Sequence, residues 1–112
     1  MGDPIAVRTA VASDIPGVSS VAAESWRSTY AGLIPDSAIE QFLSGAYSGE
    51  QLLRTIERFG AGFAIASNNG ENIGYAIAGR NRENRGELVA LYVRPSWHRR
   101  GIGSRLWTAC AD

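Results

Sequence analysis

The chain has 112 residues, of which 45% are apolar and 20% charged, a balance typical of one folded domain with a modest core rather than of a disordered segment. Its eleven basic and eleven acidic side chains cancel, so the net charge gives no support for a general role on nucleic acid or on a membrane surface. With one cysteine and one histidine, the sequence excludes an intramolecular disulfide and a zinc site built from His and Cys.

The N-terminal stretch MGDPIAVRTA lacks the apolar core of a secretory signal, and no apolar run in the sequence approaches the length of a membrane span. We therefore expect a cytoplasmic protein with no membrane partner, no nucleic-acid partner and no bound metal. The sequence contains no internal repeat, linker or low-complexity tract, so residues 1–112 are predicted to form a single domain.

The first elements along the chain are predicted to be a strand over residues 5–10 and a helix over residues 13–32. Apolar residues recur along that helix at steps of three or four and give it one apolar face. They are Ile15, Val18, Ala22 and Trp26. Ser13 is positioned to cap the helix, and Pro16 lies in its first turn, where a missing N–H costs little.

Two shorter helical segments are predicted next, each preceded by a serine that starts a possible capping box. Ser37 stands three residues before Glu40, and Ser48 stands three residues before Gln51. The glycine-containing stretch at residues 59–62 then ends the helical pattern.

The pattern changes to that of strands in the second half of the chain. Residues 62–67 and 72–80 alternate, with the sequence NNGE between them as a strong signal for a hairpin turn. The residues expected at alternate positions are Phe63 and Ile65 in the first strand and Ile73, Tyr75 and Ile77 in the second. Residues 87–93 form a third apolar strand, and a helix is predicted to begin near Gly101. Strands and helices in this order predict an α/β or α+β fold.

Two adjacent arginines and two closely spaced glycines stand where the last predicted helix begins. The first N–H groups of a helix have no partner within it, and Gly101 and Gly103 let a ligand approach them closely. Arg99 and Arg100 add positive charge, so the stretch predicts an anion site suited to phosphate or pyrophosphate. The Walker loop is absent, and the Rossmann fingerprint would need a glycine where Leu106 stands.

The segment HRRGIG, residues 98–103, resembles the acyl-CoA loop of the GCN5-related N-acetyltransferases. That family's pattern is Gln/Arg-x-x-Gly-x-Gly/Ala between the fourth strand and the next helix, and His98 stands where Gln or Arg is usual. Residues 87–106 and 25–35 are also similar to the family, to its fourth strand with the loop and to the segment joining its first two helices. The resemblance implies the family's α/β fold with a mixed sheet, here without its C-terminal strands and helix.

The resemblance also implies acetyl-CoA as the cofactor. The backbone at the end of the fourth strand would pair with the pantetheine arm, one of its N–H groups would polarise the thioester carbonyl, and the amides of the loop would hold the pyrophosphate. The cofactor-binding residues implied in this way are Leu91, Tyr92, Val93, His98, Arg99, Arg100, Gly101, Ile102, Gly103 and Ser104.

The reaction implied by the resemblance is transfer of the acetyl group to an amine, which must be neutral when it attacks. Family members with a glutamate base on the fourth strand carry it eleven positions before the Gln/Arg slot, and Glu87 lies eleven positions before His98. Glu87 is therefore the candidate catalytic base, acting through water. Trp26 and Tyr30 lie where the family's first helices border the acceptor, so they are candidates for the wall of its site.

Plainer interpretations of these residues stay open. The two glycines could serve only a tight turn, the arginines could be ordinary solvated charges, and Glu87 could pair with Arg82 or Arg85. Trp26 and Tyr30 could be packing residues. A second class of function, a non-catalytic module that binds acyl-CoA or another protein, also stays open. Because the family's C-terminal third is not in the sequence, the last strand would be an uncovered edge, and we expect a homodimer or other self-association through it.

Overall fold

The computed structural model describes residues 5–80 and 82–111, which form four strands and four helices. In chain order they are β1 (Ile5–Thr9), α1 (Ile15–Tyr30), α2 (Asp36–Ala46), α3 (Gly49–Phe59), β2 (Phe63–Asn68), β3 (Glu71–Arg80), β4 (Gly86–Val93) and α4 (Ile102–Ala111). Short 3₁₀ turns precede α1, follow α3 and follow β4. They are Ala12–Asp14, Gly60–Gly62 and Pro95–Trp97.

The four strands form one sheet in the order β1-β2-β3-β4, and every neighbouring pair is antiparallel. Helices α1, α2 and α3 pack on one side of this sheet, the three-helix face, and α4 packs on the other side, the α4 face. The predicted α/β fold class is therefore confirmed. Within the described residues, β1 and β4 are the edges of the sheet.

Large apolar side chains form the core on the three-helix face. The strand residues are Phe63, Ile65, Tyr75 and Ile77, and the helix residues are Val18, Val21, Ala22, Ile39, Leu43 and Leu52. The apolar face predicted for α1 is the one that packs here, with Ile15 and Trp26 partly buried at its two ends. The three helices are thus held on this face mainly by side chains of β2 and β3, and Ala90 and Tyr92 of β4 pack at its border.

The core on the α4 face is built differently, because the strands contribute mainly alanines. The strand residues are Ala64, Ala66, Ile73, Ala76 and Ala78. Ile102, Leu106 and Cys110 recur every four residues along α4 and are buried against them. Burial raises the pKa of the Cys110 thiol, which fits a packing residue. Small strand side chains let the helix lie close to the sheet, so a few side chains of α4 supply most of its attachment.

The hairpin between β2 and β3 turns at Asn69 and Gly70, whose φ angles of 52° and 85° are both positive. A two-residue turn with two positive φ angles matches the right-handed twist of the strands, and Asn and Gly adopt these angles at the least cost. The turn predicted from NNGE is thus confirmed.

A β-bulge in β3 changes the face on which one predicted core residue lies. The pairing of β3 with β2 skips Ile73, which is therefore an extra residue in its strand. Ile73 is buried on the α4 face, whereas Tyr75 and Ile77 are buried on the three-helix face. The prediction that the three residues alternate together is wrong for Ile73, because a bulge depends on the partner strand and not on local polarity.

A second bulge lies in β4. Ala90 pairs with Ile77 and Leu88 pairs with Ala78, so Val89 is the extra residue. The two parts of β4 on either side of Val89 therefore differ in which positions face the helices.

One of the two predicted capping boxes contributes a cap. The Oγ of Ser48 accepts a hydrogen bond of 3.2 Å from the N–H of Gln51 at the start of α3, as expected. Helix α2 begins one residue before Ser37, at Asp36, so Ser37 lies inside the helix and the cap predicted there is wrong. The Glu40 carboxylate of that motif pairs instead with Arg27 on α1.

The start of α1 also differs from the prediction, since the residue before the helix is Asp14 and not Ser13. The Asp14 carboxylate accepts hydrogen bonds of 2.6 and 2.7 Å from the guanidinium of Arg8 and one of 2.8 Å from the N–H of Val11. The side chain of Asp14 is only 9% exposed. The hydrogen bonds from Arg8 lower the pKa of Asp14 below its usual value, so an ion pair ties β1 to the start of α1.

Replacing Asp14 with asparagine is expected to lower the free energy of unfolding by about 1–2 kcal/mol at neutral pH, because charge-assisted hydrogen bonds are lost. The folded pKa of Asp14 lies below the unfolded value of about 3.9, so this stabilisation is present above that pH and is lost as the pH falls through the folded pKa. Thermal unfolding of both proteins across an acid titration should show a gap that closes at low pH. A gap of constant size would contradict the ion pair.

Candidate functional site

Between β4 and α4 the chain makes a tight turn that includes two residues with positive φ. The 3₁₀ turn Pro95–Trp97 comes first, and φ is then 63° at Arg99 and 73° at Gly101. Glycine adopts such an angle freely, whereas a residue with a Cβ does so at a cost of about 1–2 kcal/mol. The position of Gly101 in the sequence is therefore explained by the turn itself, before any ligand is considered.

The first turn of α4 presents backbone N–H groups that the helix does not use. The N–H of Arg105 donates to the carbonyl of Gly101 at 3.2 Å and forms the first hydrogen bond of the helix. The N–H groups of Gly101, Ile102, Gly103 and Ser104 therefore have no partner within α4. Together with the positive end of the helix dipole, they have the geometry and polarity that suit an anion.

Two side chains of the loop make contacts within it. The Nε2 of His98 donates a hydrogen bond of 2.8 Å to the carbonyl of Val93, the last residue of β4. The guanidinium of Arg100 lies over the ring of Trp97, with its carbon 4.8 Å from the ring centroid. His98 thus links the loop back to the strand, and Arg100 is directed at Trp97. Arg99, the other arginine predicted to contact phosphate, is exposed.

The strand beside this loop has an open edge within the described residues. The N–H of Arg94 donates to the carbonyl of Ile73 on β3 at 2.9 Å, so the backbone of Arg94 faces the sheet. Successive residues of an antiparallel strand direct their N–H and C=O groups to opposite sides, so those of Leu91 and Val93 point away from β3. The Val93 carbonyl accepts from His98, and the remaining three groups are directed at the open edge.

A groove of about 260 Å³ lies between this edge and the C-terminal half of α1. The residues that line it are Ser25, Ser28, Thr29, Leu91, Tyr92, Val93, Pro95 and His98. Four of them belong to the predicted cofactor set, so the structure brings the strand end and the loop together around one space. The three α1 residues were missed from the sequence, although their i, i+3, i+4 spacing puts three small hydroxyl side chains on one helix face.

Two buried polar atoms on α1 have no hydrogen-bond partner among the described residues. They are the Oγ of Ser25, in a residue that is only 7% exposed and lines the groove, and the Nε1 of Trp26. A buried polar group without a partner costs about 1–3 kcal/mol, so native proteins keep few of them. The Oγ of Ser25 lies at the groove, where a hydrogen bond from a ligand or a water would satisfy it.

Glu87 is exposed and lies outside the groove, towards the other end of β4. It pairs with Gly79, and a Cβ built on Gly79 would lie 3.1 Å from the Phe59 ring of α3. Because directly paired residues project to the same side, Glu87 lies on the three-helix face together with Ala90 and Tyr92. The structure therefore places Glu87 on the face that carries α1 but does not bring it to the loop.

Trp26 and Tyr30 lie in an aromatic cluster on the three-helix face. Their ring centroids are 4.7 Å apart, and the Trp26 ring stacks on Phe42 of α2 at 4.2 Å. Phe42 in turn meets the edge of Tyr47 at 6.3 Å. Both candidate acceptor residues are half-buried, and neither lines the groove.

The aromatic contacts continue from Tyr47 across the sheet to the groove. The ring of Tyr75 lies 6.3 Å from Tyr47 and 5.6 Å from Tyr92, which lines the groove. The hydroxyl of Tyr75 donates to that of Tyr47 at 2.9 Å, and burial raises the pKa of both phenols. These hydroxyls are therefore neutral, and the rings connect the α1 aromatics to β4 through direct packing.

A larger cavity, of about 430 Å³, lies at the far ends of β3 and β4 and is lined by none of the predicted site residues. Its lining includes Arg58, Phe59, Arg80 and Cys110. Within residues 5–80 and 82–111, no three His, Cys, Asp or Glu side chains lie close enough together to hold a metal ion. None of the described helices has the length and apolar character needed to cross a membrane.

Comparison with protein families gives one match of long extent. The profile described as the Acetyltransferase (GNAT) family matches residues 22–112. The matched region includes the α1 wall of the groove, β4 and the turn into α4.

Comparison with individual proteins gives relatives of the same kind. A spermidine N(1)-acetyltransferase from Thermoplasma acidophilum is 33% identical over 105 residues, which are 91% of this chain and 65% of the relative. The crystal structure of the PaiA N-acetyltransferase from Thermoplasma acidophilum, in complex with coenzyme A, is 31% identical with a TM-score of 0.84, over 96% of this chain and 69% of that one. The chain thus spans about two thirds of the length of these relatives.

A third comparison supports the fold alone. A GCN5-related N-acetyltransferase from Sphaerobacter thermophilus is 23% identical, with a TM-score of 0.71 over 96% of this chain and 31% of that chain.

Proposed function

Because the chain belongs to the acetyltransferase (GNAT) family, we propose that it binds acetyl-CoA and serves the transfer of its acetyl group to a primary amine. One observation carries the proposal: the open edge of β4 and the free amides of α4 lie at the two ends of one short loop. A long ligand with an amide-rich arm followed by a pyrophosphate would use the strand edge for the arm and the α4 amides for the pyrophosphate.

The polar groups around this loop suit the two parts of CoA. The amides of residues 101–104 suit the pyrophosphate, since they form a helix N-terminus with no competing partner in the helix. The outward backbone groups of Leu91 and the N–H of Val93 suit strand-like pairing with the pantetheine amides. The hydroxyl groups of Ser25, Ser28 and Thr29 form the opposite wall of that space.

When bound, acetyl-CoA supplies an acetyl group activated as a thioester. An outward N–H of Leu91 or Val93 would donate to the thioester oxygen and stabilise the negative charge that develops there. The amine would be bounded by Trp26 and Tyr30, and Glu87 would take its proton through water, from the same face of the sheet. The relative named for spermidine makes polyamines the first acceptors to test.

The proposal is tested by thiol release from acetyl-CoA with a panel of amines that includes spermidine, measured beside CoA binding by calorimetry. We expect CoA binding and turnover on at least one amine. A non-catalytic acyl-CoA-binding module is the second candidate, favoured by the position of Glu87 outside the groove, and it predicts binding without turnover on any amine. Absence of CoA binding would overturn both candidates.

Replacing Glu87 with glutamine is expected to lower the rate of acetyl transfer by about 100-fold and to move the pH–rate profile upward, because the amine must then lose its proton without a base. CoA affinity should change little, since Glu87 does not line the groove. Glu71→Gln, which removes another exposed carboxylate, is the control. An unchanged pH profile would remove Glu87 from the mechanism.

We also propose that the protein forms a homodimer through the first part of the β4 edge, before the residues proposed to pair with pantetheine. Leu88 and Val89 are 45% and 57% exposed on a strand that is an edge of the described sheet. Apolar edge strands readily pair with another chain, and a second copy offers an identical edge. Sedimentation should show a dimer that dissociates on dilution, and a monomer at every concentration would contradict the proposal.

A further inference from the structure

Arg94 stands at the junction of β4 and the loop that leads to α4, and only 14% of its side chain is exposed. Its Nη1 donates to the carboxylate of Glu24 at 2.6 Å, and its Nη2 donates to the hydroxyl of Ser20 at 3.0 Å, both on α1. Its Nε donates to the carbonyl of Asn72, at the start of β3, at 2.8 Å. One guanidinium therefore joins α1 and β3 to the end of β4.

The backbone of Arg94 is fixed at the same point. Its N–H donates to the carbonyl of Ile73 at 2.9 Å, and its carbonyl accepts from the N–H of Trp97 at 2.8 Å. The second of these bonds closes the 3₁₀ turn with which the loop begins. A shift of Arg94 would therefore be passed on to the sheet on one side and to the loop on the other.

The contacts of Arg94 connect the two walls of the groove. Glu24 directly precedes Ser25 on the α1 wall, and Val93 and Pro95 flank Arg94 on the β4 wall. The ion pair between Arg94 and Glu24 thus crosses from one wall to the other. Among the described residues, no other side-chain hydrogen bond joins α1 to β4 or to the loop.

We propose that Arg94 is a positioning residue for acetyl transfer, which sets the separation of the groove walls and the orientation of the loop that presents the α4 amides. This inference rests on the proposed function, because it takes the groove and the amides as the CoA site. An arginine suits the role because its planar guanidinium offers five donors in fixed directions and here meets three acceptors on two elements. A lysine presents a point charge and cannot meet all three in this geometry.

A matched control exists on the same helix. Arg27 of α1 pairs with Glu40 of α2, and both side chains are 57% exposed. This pair lies away from the groove, so Arg27→Gln removes an ion pair of α1 without touching either wall. An exposed pair of this kind contributes little to stability, which makes the variant a control for loss of charge on α1.

The test combines hydrogen exchange of the amides in residues 95–104, measured without ligand, with CoA affinity measured by calorimetry. The variants are Arg94→Lys, Arg94→Gln, Glu24→Gln and Arg27→Gln. We expect both Arg94 variants to speed exchange of the loop relative to β2 by about tenfold, and to weaken CoA binding by about tenfold. Glu24→Gln should act in the same direction with a smaller effect, and Arg27→Gln should leave both quantities unchanged.

A merely structural role would speed exchange in the loop and in β2 alike, or lower stability with CoA affinity unchanged, and either result would overturn the proposal. If Arg94→Gln does not fold, Glu24→Gln decides, because it keeps the size of the side chain and removes only the charge. If the wild-type protein does not bind CoA, the proposed function fails, whereas the exchange of the loop amides still shows whether Arg94 positions them.

Discussion

Replacing Gly103 with alanine is expected to weaken CoA binding by about tenfold or more while the protein stays fully folded. A Cβ at this position would meet only Cδ2 of Leu91, at 3.6 Å, so the structure has room for it. The methyl group would stand between the first turn of α4 and the open edge of β4, which is the path proposed for the cofactor. The same change favours the helix by up to about 1 kcal/mol, so the melting temperature should hold or rise.

Gly101→Ala provides the contrast, because φ is 73° at that position and nothing lies within 4 Å of an added Cβ. The cost there is backbone strain of about 1–2 kcal/mol, so stability should fall. Calorimetry with CoA and thermal unfolding on the two variants separate a loss of fit from a loss of stability. Unchanged CoA affinity in Gly103→Ala would mean that no ligand approaches this backbone closely.

Replacing Leu106 with alanine is expected to cost about 2–5 kcal/mol of stability, since the side chain is fully buried beneath α4. A typical domain has only about 5–15 kcal/mol in total, so the loss is severe. The loss of CoA-binding free energy should be at least as large as this loss of stability. The strands below α4 contribute mainly alanines, so few other large side chains hold this helix in place. Because α4 would shift, CoA affinity should fall by more than the unfolded fraction of the protein explains.

Leu52→Ala is the matched control for this prediction. Leu52 is 2% exposed on α3, on the opposite face of the sheet, and the chemical change is identical. Urea unfolding should show a similar loss of stability, while CoA affinity at low temperature stays near that of the wild type. Equal losses of affinity in both variants would mean that the effect of Leu106 is general destabilisation.

The order of elements could be predicted from the sequence because its signals are local. The NNGE turn, the apolar face of α1 and the start of α4 after Gly101 each depend on residues within one or two turns of each other. The predicted caps at Ser13 and Ser37 were wrong for a related reason. Asp14 has a partner in β1 that the local pattern does not include, and α2 begins one residue earlier than its serine.

The site could be predicted on one side only. The loop and the end of β4 carry a continuous motif, and the structure places Leu91, Tyr92, Val93 and His98 around one groove. The opposite wall, on α1, lies about seventy residues earlier in the chain. Arg94 and its partner Glu24 are separated in sequence by the same distance. Such contacts depend on how a helix crosses the sheet, which no local pattern encodes.

The extra residue Val89 determines which positions of β4 face which side of the sheet. Glu87 and Tyr92 are five positions apart, so plain alternation would turn them to opposite sides of the sheet, and the bulge returns them to one side. The bulge therefore determines on which side of the sheet the Glu87 carboxylate lies. The directions of the backbone groups at residues 91 and 93 do not depend on it. Loss of the bulge without loss of a residue would pair Val89 with Ala78 and turn Glu87 to the α4 face, while the strand beyond the bulge stays in register with β3. A change that removes the bulge and keeps the length of the strand would in this way separate cofactor binding from proton removal.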